Sequence, residues 1–79
     1  MNTLYNDVVH VTHEYFGPAA DRFVTRQIRN HLRKDPYQLR KQDLAGLIEW
    51  ISLAMALLSD DEKLVSKYVA DLKNLTGSG

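Results

Sequence analysis

Residues 14 to 34 read EYFGPAADRFVTRQIRNHLRK, and the Gly17-Pro18 pair within them decides how the chain folds. Upstream of it, Leu4, Val8, Val11 and Tyr15, with a second row at Tyr5, Val9 and Phe16, recur at helical spacing and predict a first helix over residues 3–16. Glycine reaches positive φ without a Cβ penalty and suits the end of that helix. Proline, with its fixed φ and missing N–H, suits the first turn of the next. The Phe-Gly-Pro run is therefore expected as a corner between two packed helices.

Beyond the corner a second helix is predicted over residues 18–34, with Ala20, Phe23, Val24, Ile28 and Leu32 on one side and Arg22, Arg26, Arg29 and Arg33 along another. A residue before proline is driven out of the α region, so Lys34-Asp35-Pro36 ends this helix, and Asp35 is placed to cap a short turn starting at Pro36. Tyr37 and Leu39 are expected to plug the opening beneath that connection. A third helix is predicted over residues 42–58, with Asp43 near the positive end of its dipole. Leu44, Leu47, Ile48, Ile51, Leu53, Ala54, Met55, Leu57 and Leu58 cover more than one stripe of it, so the other helices or a partner chain must surround it. Trp50 is expected in the core, or, where exposed, as an interface anchor with Tyr37.

Ser59-Asp60-Asp61-Glu62 has the Ser-x-x-Glu form of a capping box and opens a fourth helix over residues 60–75. That helix turns Leu64, Val65, Tyr68, Val69, Leu72 and Leu75 inward and Lys63, Lys67, Asp71 and Lys73 outward. No run of alternating β-branched residues competes with these patterns. The expected architecture is all-α, a compact four-helix bundle forming a single domain over residues 1–75. Residues 76–79, Thr-Gly-Ser-Gly, read as a flexible, linker-like tail.

Composition narrows the function. A chain of 79 residues has room for one core and little stability to spare. Its formal net charge is zero, which supplies no long-range attraction to nucleic acid or to an acidic membrane. Cysteine is absent, removing disulfides, thiolate metal sites and a cysteine nucleophile together. The longest apolar stretch, Leu44 to Leu58, is interrupted by Glu49 and Ser52 and falls short of the roughly 20 residues of a membrane span. The first ten residues lack the basic and apolar regions of a secretory signal, so a cytoplasmic protein without a membrane partner is expected.

Chemistry-bearing residues are few. His10 and His13, three apart with Glu14 beside them, form a ligand set only if His31 is brought close, and they lack the i, i+4 pair of the helical zinc signature. No metal or other cofactor is expected. Ser52 and Ser59 have no glycine elbow or base around them, and a helix N-terminus accounts for Asp60, Asp61 and Glu62, so the chain is read as no enzyme.

The basic stretch is the candidate site. Arg22, Arg26, Arg29, Arg33, Lys34, Arg40 and Lys41, with Asp35 alone against them, give a local charge of +6 that the other residues balance with −6. These residues, with Tyr37, are the predicted partner-binding set. A basic helix face and an acidic end suit docking to a protein partner or to a second copy by complementary charge. Nucleic acid is the second candidate, with Gln27 and Asn30 beside the arginine row as readers of base edges. Against it, the basic helix follows a long first helix and a Gly-Pro corner rather than a tight helix-turn-helix.

Tyr15 to Leu32 also resembles the Gly-Pro-x-Ala corner of a small helical module of uncharacterised function, appended to bacterial signalling proteins such as serine/threonine kinases and response regulators. Phe16, Gly17, Pro18, Ala20, Val24 and Ile28 take the places of that pattern. The resemblance covers about a quarter of the chain and implies an accessory docking or regulatory domain, without catalytic residues, within a longer protein.

Overall fold

The computed structural model describes residues 3–77, and all the regular structure among them is helical. Helix α1 spans Thr3–Phe16, α2 Ala20–Gln27, α3 Lys41–Leu58 and α4 Glu62–Gly77. The chain turns from α1 into α2 through a single 3-10 turn, Gly17–Ala19, with Gly17 at φ +60 and Pro18 in the turn's first positions. Phe16 and Phe23 stack across this corner at 4.3 Å between centroids, so the two aromatics brace the bend that Gly17 permits.

The second helix is not the single rod expected over residues 18–34. After Gln27 the chain widens into a π-turn, Ile28–Leu32, and stops at Arg33, which is left-handed at φ 54 and ψ 42. A π-turn inserts one extra residue per hydrogen-bonded ring, so the α-helical row is not carried unchanged to Arg33. Asp35 then caps the 3-10 turn Pro36–Gln38, its carboxylate accepting from the N–H of Tyr37 at 2.9 Å. Leu39 is buried under this connection as expected, whereas Tyr37 stays largely exposed and meets the ring of Tyr5 edge-on at 5.5 Å.

Eighteen residues give α3 a length of about 27 Å, enough to traverse a molecule measuring 33 × 27 × 21 Å. It packs on α4 and on the π-turn, while α1 packs on α2 and α4. Leu44, Leu47, Ile48, Ile51 and Met55 of α3 meet Val8, Val24, Ile28, Tyr68 and Leu72 in one core. Trp50, expected inside, is 42% exposed and lies flat on His31 of the π-turn at 4.0 Å.

Two core positions, Thr12 and Gln27, went to polar residues that hydrophobic periodicity passes over. Thr12 is fully buried on α1, where its hydroxyl donates to the Val8 carbonyl at 2.7 Å. A hydroxyl has one proton, so at 2.6 Å the Tyr68 hydroxyl must donate to Thr12 Oγ1. Burial pushes Tyr68 up to about 12. One turn further along, Tyr15 donates to Asp71, which pushes Tyr15 up to about 12 as well and turns Asp71 toward α1 instead of toward water. Tyr15 and Tyr68 are themselves in ring contact at 4.8 Å.

The entry to α4 also differs from its sequence signature. Asp61 is the cap, its Oδ1 accepting from the N–H of Leu64 at 3.1 Å, and Ser59 instead accepts from the N–H of Asp61 at 3.1 Å. Asp61 precedes the first helical residue and stands three before Leu64, the geometry an N-cap requires. Ser59 sits two positions too early. At its other end α4 continues to Gly77, with Thr76 Oγ1 donating to the Lys73 carbonyl at 2.6 Å, so the expected tail is helical at residues 76–77. Its remaining positions, 78 and 79, lie outside the described residues.

Two outcomes are expected in urea denaturation. Nothing lies within 4 Å of a Cβ built on Gly17, so Gly17→Ala should lose about 1 kcal/mol through its positive φ alone. Gly46→Ala, mid-α3 with only Leu32 Cδ2 at 4.0 Å, should gain about 0.5–1 kcal/mol. For the buried pair, Thr12→Val should cost about 1–3 kcal/mol by stranding the Tyr68 hydroxyl. Adding Tyr68→Phe should recover part of that loss, so the double variant is expected to outlast Thr12→Val.

Candidate functional site

The eight residues of the predicted binding set fall into two groups. Arg22, Arg26 and Arg29 lie exposed on and just beyond α2, where with Asp21, Thr25 and Asn30 they line a shallow trough. None of the three forms an ion pair among the described residues. Arg33, Lys34, Tyr37, Arg40 and Lys41 surround the connection into α3, where left-handed Arg33 ends the helix, and Arg29 borders both groups, sharing a hollow with Arg33 and Lys34.

Lys34 proves to be structural. Its Nζ lies 2.8 Å from Asp43 Oδ2, and the same oxygen accepts from the N–H of Arg40 at 3.0 Å, which is how α3 is capped without a serine or aspartate at its N-cap. Lys34 holds the Asp43 carboxyl below the usual range, against an opposing push from burial. Tyr5 makes a comparable junction at the other end of α2, donating to Asp21 Oδ1 at 2.6 Å with Thr25 Oγ1 at 2.9 Å. Burial and that bond push the Tyr5 hydroxyl up.

The histidines do not converge. His10 and His13 line a cleft of ≈ 490 Å³ between α1 and α2 with Arg29 and Tyr37, whereas His31 is stacked on Trp50. Among the described residues no three His, Cys, Asp or Glu side chains are grouped to hold a metal ion. Gln27, expected beside the arginines as a reader of base edges, is buried instead, and its Oε1 has no donor among the described residues. Of the two residues expected to read base edges, Asn30 stays exposed beside the row.

What the sequence did not single out is the surface next to Arg22 and Arg26. A groove of ≈ 470 Å³ runs between them and the end of α3, walled by Phe16, Phe23, Ala54, Leu57 and Leu58, with Gln27 in its lining. Leu53, Leu57 and Leu58 are 59%, 89% and 67% exposed. Burying such a side chain is worth about 1.5–3 kcal/mol, so leaving three together in water is a substantial forfeit for a small domain. The excess apolar stripe of α3 was the available signal; which end of the helix it would leave bare was not legible.

No helix among the described residues is long and apolar enough to cross a membrane. No family model, curated protein or solved structure matches this chain.

Asp43 sets a pH dependence. A carboxyl whose folded pKa is depressed adds stability above its unfolded pKa, near 3.9, and loses it as pH falls through the lower folded value. The stability gap between the wild-type chain and Asp43→Asn should therefore be constant from neutral pH to about pH 5 and close below about pH 4, measured by urea denaturation across that range.

Proposed function

We propose that the chain is a non-catalytic protein-interaction module, a four-helix bundle acting in a bacterial signalling or regulatory system inside the cell. The observation that carries this reading is the apolar groove at the end of α3, flanked by Arg22 and Arg26 and continued by exposed Leu53, Leu57 and Leu58. Apolar anchors with arginine at the margin are the composition of protein interfaces, and an unpaired guanidinium adds orientation and encounter rate. The likeness of residues 15–32 to the Gly-Pro module supports the same role, as a docking unit of a larger assembly. The withdrawal of Gln27 from the surface weighs against base reading by α2, so nucleic acid becomes the outcome that would displace this proposal.

Site-specific photo-crosslinking in the native cell tests it. Leu57→p-benzoylphenylalanine should yield discrete protein adducts that the same probe at Lys73, exposed on α4, does not. Absence of a Leu57-specific protein adduct, together with salt-sensitive binding of labelled DNA lost in Arg22→Ala/Arg26→Ala, would replace the protein partner with a polyanion.

A further inference from the structure

The apolar groove leaves open which protein enters it, and the charges around it narrow that choice. Resting on the reading of the chain as a protein-interaction module, we propose that the occupant is a second copy of this chain, related by a two-fold axis through the α3 end. The groove brings knob and hole together on one face: Leu57, the most exposed of the leucines at 89%, stands at the margin of the hollow walled by Phe16 and Phe23. A two-fold interface requires such self-complementarity, because each copy presents the same patch and must both insert and receive.

Charge selects the copy over other partners. Arg22 and Arg26 line the groove, and directly after Leu57 and Leu58 the chain turns through exposed Asp60, Asp61 and Glu62. An acidic partner helix drawn to the arginines would be repelled by these carboxylates, and a basic one attracted to the carboxylates would be repelled by the arginines. A partner carrying both signs on either side of an apolar centre satisfies both margins, and a second copy turned by a half rotation does so. Its net charge of zero adds no overall repulsion between copies.

Sedimentation velocity from low to high micromolar concentration, on the full chain, tests the proposal. The wild-type chain should sediment as a reversible dimer. Leu57→Glu should weaken the dimer by more than about tenfold while leaving the helical circular dichroism unchanged, because the side chain lies outside the core. Arg22→Glu/Arg26→Glu and Asp60→Lys/Glu62→Lys, each monomeric alone, should pair when mixed, since every margin then faces its opposite. Asp61 is left intact as the cap of α4. A strict monomer at high micromolar concentration overturns the second copy, as does a dimer indifferent to Leu57→Glu or charge variants that fail to pair. If those failures accompany a Leu57 crosslink to a different protein, the interaction module stands and only the identity of its partner is wrong. If no crosslink forms either, both fall.

Discussion

A helix that is apolar nearly all round cannot be covered by the other helices of so short a chain. That constraint shapes most of what is seen here. Leu44, Leu47, Ile48, Ile51 and Met55 take the core face of α3, drawing α4 and the π-turn onto it, while α1 closes over α2 and α4. What is left over collects at the far end of the helix as Leu53, Leu57 and Leu58. An apolar face left bare in a globular domain is a cost unless something covers it, and this bare face follows from the shortage of covering helices rather than from a motif.

Polar groups inside this small core are used as joints. Thr12 and Tyr68 occupy positions that two apolar residues of similar volume would fill more simply, and their hydrogen bond is made in a setting where either hydroxyl alone would be costly. Tyr15 with Asp71, and Tyr5 with Asp21, do the same at half-exposed seams, tying α1 to both of its neighbours. Lys34 and Asp43 join the connecting segment to α3. Each joint fixes a register that packing of leucine and valine alone leaves loosely defined. Gln27 is the exception, buried without a partner for its Oε1 among the described residues.

Local chemistry was legible in the sequence where one or two residues decide the backbone. Gly17 takes the positive φ its position called for, and Asp35 caps the turn at Pro36. It was misleading where two local solutions competed, as at the start of α4, where Ser59 matched the familiar spacing and Asp61 stood in the better place. The core list was readable from apolar period, except for Thr12 and Gln27, whose burial depends on what faces them. Exposure of Trp50 and Leu57 was not readable at all, since a periodic pattern tells which residues share a face but not where a neighbouring helix ends. The arginine row was visible as a charge cluster; the π-turn within it was hidden, because a π-turn leaves no compositional mark.

The hydrogen bonds from Tyr68 to Thr12 and from Tyr15 to Asp71 each join residues 56 apart. Most other contacts are local and can form while the remainder of the chain is loose, but these two close a ring around nearly the whole polypeptide. Closing a ring of that size costs about 3–4 kcal/mol in chain entropy, recovered only when α1 and α4 dock together. The closure entropy of the α3–α4 hairpin and of the Gly-Pro corner is smaller than that of docking the first helix on the last. That docking also couples the two ends of the domain: loosening either helix removes part of what holds the other, the rest being supplied by α2 and α3.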